Sequence, residues 1–410
     1  MSSWRSSGTR PYARADGRVS RVALDSVSLL ARLVAHRTVS SDSNLELISD
    51  VRAYLASHGV ESRLVPNADG TKANLLATIG PGVPGGAVLS GHTDVVPVEG
   101  QPWSSDPFAL VERDGRLYGR GSSDMKGFIA CALAAVPQLV KTKLARPIHL
   151  CLSYDEEIGC FGAPHAIALF GNELPRPALC VVGEPTMMRP VVAHKGSWVN
   201  ETRIVGREAH SSAPHLGANA IVYMGRFLVY LDELQQALRA RGQADAVPGV
   251  DFDPPWTTVG IGKIAGGTAA NIVPRECRLT WEFRALPGVD GEAIHAGAQA
   301  RVDALDAAIK REAPEGGVTL HRYANIPPMR PELDGPATKL AMAITGANAP
   351  ITVAFGTEAG QFQAAGISTV ICGPGDIAVA HKTDEYTTRE QLVQCDRFIG
   401  KIAEWAQRPT

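Results

Sequence analysis

Between Lys195 and Asn325 the pattern of the chain changes, and that interruption constrains the fold more than any other feature. The segment reads strand (Ser197–Val205), helix (Ala218–Arg239), strand (Thr257–Ile264), strand (Cys277–Arg284), helix (Gly291–Arg311), strand (Val318–Tyr323). This β-α-β-β-α-β order is that of a split βαβ, ferredoxin-like unit, which is compact by itself. On either side, short apolar strands alternate with helices. Ile48–His58 reads as an amphipathic helix, Ala87–Ser90 as a strand, Met125–Val140 as a helix, and Pro147–Ser153 and Ala178–Val182 as strands. From about Met329, past the linker Ile326-Pro327-Pro328, helix and strand resume, with strands at Ile351–Ala354 and Ser368–Cys372. Strands separated by helices predict a mainly parallel sheet covered on both faces. The expectation is an α/β domain in two pieces, 26–194 and 326–410, with the unit 195–325 inserted and a flexible leader over 1–25. A chain of 410 residues has room for this, since about 150 residues make a domain.

Composition removes several functions. Forty Lys and Arg face 42 Asp and Glu, a formal net charge of −2, which argues against general binding to nucleic acid or an anionic membrane surface. Aromatic residues, at 6%, offer no platform for stacking bases. The longest apolar run, Gly127 to Val140, is too short for the roughly 18–20 residues that span a bilayer. The leader holds five arginines but no apolar h-region, so it is not a secretory signal. Seven scattered cysteines without a Cys-x-x-Cys pair read as reduced core thiols of a cytoplasmic protein.

The chemistry gathers at strand ends, where ligands bind in open α/β sheets. Gly91-His92-Thr93-Asp94 follows one strand, Tyr154-Asp155-Glu156-Glu157 another, and Gly183-Glu184-Pro185-Thr186 a third. Asp124 stands directly before the Met125 helix, and Ala380-His381-Lys382 follows Gly373-Pro374-Gly375. Singly, each has a bland reading. Asp124 could be a helix cap, Glu156-Glu157 a solvated loop, and His92 a satisfied histidine. Together, imidazoles and carboxylates on one predicted face are what a divalent metal such as Zn²⁺ requires. Gly119-x-Gly121 is not a dinucleotide fingerprint, because no strand leads directly into it and the third glycine is missing.

Three long motifs carry a resemblance. Gly91-His92-Thr93-Asp94-Val95-Val96-Pro97, Leu117-Tyr118-Gly119-Arg120-Gly121-Ser122-Ser123-Asp124-Met125-Lys126-Gly127 and Asp155-Glu156-Glu157 resemble the signatures of the two-metal aminoacylases and carboxypeptidases. The likeness runs from about residue 26 to the C-terminus. It implies a zinc-peptidase-like α/β catalytic domain with an inserted lid that commonly dimerises.

Carried across residue by residue, the resemblance implies that His92 and Glu184 hold one metal, Glu157 and His381 the other, and that Asp124 bridges them. Two divalent ions per subunit, Zn with Co as an option, are implied. Asp94 would orient His92, the peptide after Asp124 would be cis, and Glu156 would be the general base. In the insert, His210 of Gly206-Arg207-Glu208-Ala209-His210-Ser211-Ser212 would reach the partner subunit's site and stabilise the oxyanion. Asn271 and Arg284 would bind polar groups of the substrate, with Arg284 suited to an α-carboxylate by its planar fork. Thr357 and Gly373 are expected near the substrate.

Two segments are most similar to the branch of that family which deacetylates N2-acetyl-L-ornithine. They are Asp253-Pro254-Pro255-Trp256-Thr257-Thr258 leading to Gly266–Pro274, and Phe355-Gly356-Thr357-Glu358-Ala359-Gly360-Gln361-Phe362 with the Cys372–Gly375 and His381–Tyr386 segments behind it. The expected partners are a small N-acyl amino acid and a second copy of the chain, with no nucleic acid and no membrane. Other N-acyl-amino-acid hydrolysis, including succinyl-diaminopimelate desuccinylation, is the alternative reaction. A non-catalytic binding protein on the same scaffold is the alternative of a different class. It is disfavoured because all five ligand candidates and Glu156 are in place.

Overall fold

A computed structural model describes residues 24–409, so nearly all of the expected leader lies outside the described residues. The first stretch runs α1 (Ser26–Val34), α2 (Leu45–Ser57), β1 (Ser62–Pro66), β2 (Ala73–Ile79), β3 (Ala87–His92), β4 (Val111–Arg113), β5 (Arg116–Tyr118), α3 (Lys126–Lys141), β6 (Ile148–Ser153), α4 (Ala163–Ile167), β7 (Leu179–Pro185) and β8 (Val191–His194). The second holds β9 (Ser197–Val205), α5 (Ala220–Ala240), β10 (Thr258–Gly266), β11 (Glu276–Arg284), α6 (Gly291–Glu312) and β12 (Gly317–Ile326). The last runs α7 (Pro336–Thr345), β13 (Ile351–Val353), α8 (Ala359–Ala364), β14 (Ser368–Gly373), β15 (Tyr386–Thr388) and α9 (Arg389–Ala406).

The first and last stretches build one eight-stranded sheet in the order β1-β2-β6-β3-β7-β14-β8-β13. Its centre, from β6 through β3 and β7 to β14, is parallel. Antiparallel pairs appear at β1–β2, β2–β6 and β14–β8. Both faces are covered, which is why the central strands read as continuous apolar runs. Leu75, Leu89, Leu150 and Val181 pack with α1, α2, α3 and α9 on one face. Their sequence neighbours Leu76, Val88, Cys151 and Val182 pack with α4 and α8 on the other. A three-stranded sheet, β15-β5-β4, sits apart and was not legible in the sequence.

The middle stretch forms a four-stranded antiparallel sheet, ordered β10-β11-β9-β12. That is the ferredoxin-like order, with α5 and α6 burying Phe227, Leu231, Val302 and Ile309 against Trp281 and Phe283. Side chains of Asp25, Asn219, Asp290 and Thr388 cap α1, α5, α6 and α9 by accepting from backbone N–H groups. The chain leaves the large sheet after His194 and returns after Ile326, and Ser197 pairs with Ile326 across adjacent strands. No helix among the described residues is long and apolar enough to cross a membrane.

Candidate metal centre

The parallel strands β3, β6, β7 and β14 place their carboxyl ends together, and two strand residues with three connecting segments bring the charged groups there. His92 ends β3, Glu156 and Glu157 follow β6, Glu184 is the penultimate residue of β7, and His381 follows β14. Asp124 precedes α3, yet it is not the cap of that helix, which has no side-chain cap. Its carboxylate instead divides between two imidazoles. Oδ1 lies 3.0 Å from His92 Nε2 and Oδ2 lies 3.2 Å from His381 Nε2. Glu184 Oε1 approaches His92 Nε2 at 3.9 Å, and Glu157 Oε2 approaches His381 Nε2 at 3.0 Å. The Asp124–Met125 peptide is cis.

The protonation pattern follows from crowding. Burial pushes the carboxyls of Glu156 and Glu184 well above the ordinary range, and neighbouring acids push the same way. Burial and the charge of Asp124 raise Glu157 to about 7. Burial opposes the charge of Asp124 too, but hydrogen bonds from His381 and His92 outweigh it and hold that carboxyl well below the usual range. The same bonds to Asp124 and Glu157 raise His381 to about 10.

Two further observations test the fit to a cation. His92 Nδ1 lies 2.9 Å from the Asp94 carbonyl, so this nitrogen donates, and Nε2, once it gives up the proton it shares with Asp124, has its lone pair aimed at the same point. Glu184 Oε1 is buried and has no hydrogen-bond partner among the described residues. A lone pair and an orphaned carboxylate oxygen turned towards one point suit a divalent ion with N and O ligands. The trios His92–Asp124–Glu157 and His92–Glu156–Glu184 each bring ligand atoms within 4.8 Å of one another.

Asp94 does more than face His92. Its carboxylate accepts from the backbone N–H groups of Glu156 (3.2 Å) and Glu157 (3.3 Å) and from the Ser40 hydroxyl (2.7 Å). The closest contact to His92 comes from its backbone carbonyl, with the carboxylate at 3.7 Å. One residue therefore ties the His92 strand to the Glu156-Glu157 loop.

A cavity of about 680 Å³ opens over the group, between the strand ends and the inserted unit. Asp124, Glu156, Glu157, Glu184 and His381 line it together with Phe161, Phe355 and Arg284. Arg284 makes a two-pronged pair with Glu282, Nε to Oε1 at 2.9 Å and Nη2 to Oε2 at 3.1 Å.

Other expected residues lie elsewhere. His210 is exposed on the inserted unit, with Nδ1 2.7 Å from the Ser212 hydroxyl, and it does not line the cavity. Asn271 is its neighbour, its carbonyl accepting from Ser211 N–H at 3.0 Å. Thr357 is buried, and its hydroxyl accepts from Ala359 N–H at 3.0 Å at the start of α8, so Phe355 and Gly356 represent this loop in the cavity wall. Gly373 does not face the cavity. A Cβ there would meet the Gly183 carbonyl oxygen at 2.0 Å, so its small size serves the contact between β14 and β7.

The fold and the group have known counterparts. Residues 88–405 match the description of peptidase family M20/M25/M40. A Myxococcus xanthus protein named acetylornithine deacetylase is 37% identical over 377 residues, 91% of this chain and 95% of that one. Among solved structures, an M20 family metallo-carboxypeptidase from Sulfolobus solfataricus superposes with a TM-score of 0.75 at 18% identity, covering 93% of this chain and 99% of that chain. A dinuclear metal-binding peptidase of the M20 family from Bacillus subtilis gives 0.62 at 16% identity, with 93% and 97% covered. With residues 88–405 matched and relatives sharing a third of its sequence over nine-tenths of its length, this chain belongs to peptidase family M20/M25/M40 and is a hydrolase of amide bonds.

Proposed function

We propose that the chain is a two-metal amidohydrolase that removes the acetyl group of N2-acetyl-L-ornithine, giving L-ornithine and acetate. The observation that carries the two-metal reading is the division of Asp124 between His92 and His381. The identity with the Myxococcus xanthus protein supports the substrate, and the dinuclear Bacillus subtilis relative supports the metal count. His92 and Glu184 would hold one ion and Glu157 and His381 the other, with Asp124 shared between them. Zn²⁺ suits this set of imidazoles and carboxylates, with Co²⁺ as the alternative.

Two ions bound there would polarise the amide carbonyl and make water acidic enough to attack near neutral pH. Glu156 is placed beside them without belonging to either imidazole pair. It accepts the proton of the attacking water and hands it to the departing amine nitrogen, so one carboxyl serves as base and then as acid. The Asp94 carboxylate holds the backbone of Glu156 and Glu157 at fixed height while its carbonyl sets the tautomer of His92. Arg284 meets the substrate α-carboxylate with its Nη edge, because its Nε side is already engaged by Glu282.

His210 and Asn271 act on the partner subunit's site in a homodimer built through the insert, which we read as a lid over 195–325. Ser212 N–H donates to His210 Nδ1 at 3.1 Å, so the neutral ring carries its proton on the outward Nε2, a donor for an oxyanion. The insert also offers a surface for pairing. Ile221, Val222 and Val229 of α5 are 42–56% exposed, and Ile261 and Ile264 lie on the outer strand β10 at 50% each. An apolar helix face beside an unpaired strand edge is a face that association would cover. Seven unpaired cysteines fit a cytoplasmic setting.

The test is hydrolysis of N-acetylornithine, N-succinyl-diaminopimelate and N-acetylmethionine before chelation, after it, and after metal is returned. Metal-dependent turnover with a clear preference for N-acetylornithine is expected. Preference for another member of the panel would overturn the substrate, and activity indifferent to chelation would overturn the two-metal reading.

A further inference from the structure

Behind Asp124 lies a buried network that no part of the proposed chemistry uses. Glu385, just before β15, is 1% exposed, as is Arg120 in the loop leading to Asp124. Glu385 Oε1 accepts from two consecutive backbone N–H groups, Ser123 at 2.9 Å and Asp124 at 3.1 Å. Its Oε2 accepts from Arg120 Nη1 at 2.6 Å, and its carbonyl accepts from Gly119 N–H at 3.0 Å. Arg120 in turn donates from Nη2 to Gln101 Oε1 at 2.6 Å and stacks on Trp103, its Cζ 5.0 Å from the ring centroid. Every one of these contacts ends on the 119–124 loop or on what supports it.

We propose that Glu385, backed by Arg120, is a positioning residue that fixes Asp124 for both metal ions at once. The physical case is that Asp124 must present its two oxygens to two imidazoles 3.0 and 3.2 Å away. Its side chain can do so only if the backbone at 123–124 is stationary. A carboxylate accepting from both N–H groups supplies that restraint, and ionic hydrogen bonds are the strong ones. Such a group is costly to bury alone, so Arg120 neutralises it through Nη1, and of the guanidinium nitrogens only Nε lacks a partner among the described residues. The inference rests on the reading of Asp124 as the bridge.

The same contacts allow a competing role. Glu385 lies four residues after His381, and Gln101 Nε2 also donates to the His381 carbonyl at 2.9 Å. If the network merely supports the His381 loop, only the ion held by His381 should feel its loss.

Metal-loaded parent, E385Q, E385A and D124A are competed against a chelating dye of known affinity, with Zn²⁺ and Co²⁺ as probes. E385Q keeps the volume and one acceptor oxygen, and the proposal expects both ions to bind about 10- to 100-fold more weakly, in parallel. E385A should lose more. Saturating metal should restore most of the turnover of E385Q, because bound ions themselves hold Asp124 in place. Parent-like affinity at both sites, weakening confined to one, or a turnover loss that saturating metal leaves unrepaired would each overturn the proposal. Should the Glu385 variants not fold, R120K keeps a cation but not the fork, and the same parallel weakening in smaller measure is expected; unchanged affinity there would overturn it. Parent-like binding of two ions by D124A would instead sink the bridge itself. If D124A loses both ions while E385Q binds like the parent, only the role of Glu385 falls.

Discussion

Gly183 stands beside Glu184 in β7, and a methyl group there would collide with the core. A Cβ built on it lies 1.9, 2.1 and 2.4 Å from Cγ, Cδ1 and Cδ2 of Phe128. Phe128, in the first turn of α3, is 1% exposed, so its ring has no empty space to enter. Regaining ordinary carbon–carbon contact requires α3 and β7 to part by about 1.5 Å. Overpacking of this kind costs about 1–3 kcal/mol, and the upper part of that range applies because both partners are backbone-anchored. At about 2–4 °C per kcal/mol, Gly183→Ala should melt a few to about ten degrees lower than the parent. The damage should not be uniform. Asp124 precedes α3 and Glu184 follows Gly183, so the ion that His92 shares with them should weaken more than the ion on the His381 side. Gly400→Ala is the control: Gly400 lies inside α9, and a methyl group added to it would have nothing within 4 Å beyond its own helix. It should gain up to about 1 kcal/mol from helix propensity. The assay is thermal unfolding of chelated protein followed by metal competition. A Gly183→Ala variant that melts at or above the parent, with both ions held as tightly, would refute the reasoning.

Glu156→Gln should keep both ions and lose turnover by at least about 10² to 10⁴; full metal content with near-parental turnover would remove Glu156 from its role. Glu184→Gln should weaken mainly the ion near His92 and His381→Ala mainly the other, read by metal stoichiometry, and equal loss at both sites from either change would contradict the pairing. Mixing His210→Ala with Glu156→Ala should return about a quarter of parental activity, since half of randomly exchanged dimers carry one intact site; a mixture that exchanges subunits yet stays inactive rules out action across the interface. Each ion held at 100 times its Kd should raise unfolding stability by about 2.7 kcal/mol over chelated protein, so about 5 kcal/mol for two independent sites, and a melting temperature unmoved by chelation would speak against a built site.

Much of the site was legible in the sequence, for a physical reason. A group that reaches the open end of a parallel sheet sits where a strand stops, so the candidate ligands His92, Glu157 and Glu184 announce themselves by following apolar runs. The ferredoxin-like order was legible because its helices and strands keep distinct periodicities. Other features were not. The use of Asp94 as a tether for Glu156 and Glu157 depends on 62- and 63-residue separations closed only by folding. Glu385 and Arg120 stand 265 residues apart, and nothing local in either marks a buried pair. Glu358 likewise looks like a loop acid but is fully buried, taking hydrogen bonds from the Ser90 and Ser153 hydroxyls beneath the site. Gly373 read as a ligand contact because it stands in a site loop, whereas its packing against Gly183 is visible only once β7 and β14 are neighbours.

The pairing of Ser197 with Ile326 carries a consequence for how such a protein can change. Both threads joining the insert to the large sheet pass side by side, about one strand spacing apart. To the host sheet, the whole βαββαβ unit is a bulge between two adjacent points, and its removal would leave a gap that a tight turn could close. Selection can therefore rework the roof over the cavity, or exchange it, without disturbing the strands that carry the ligands. The roof over the cavity and the strand ends beneath it are carried on separate pieces of chain.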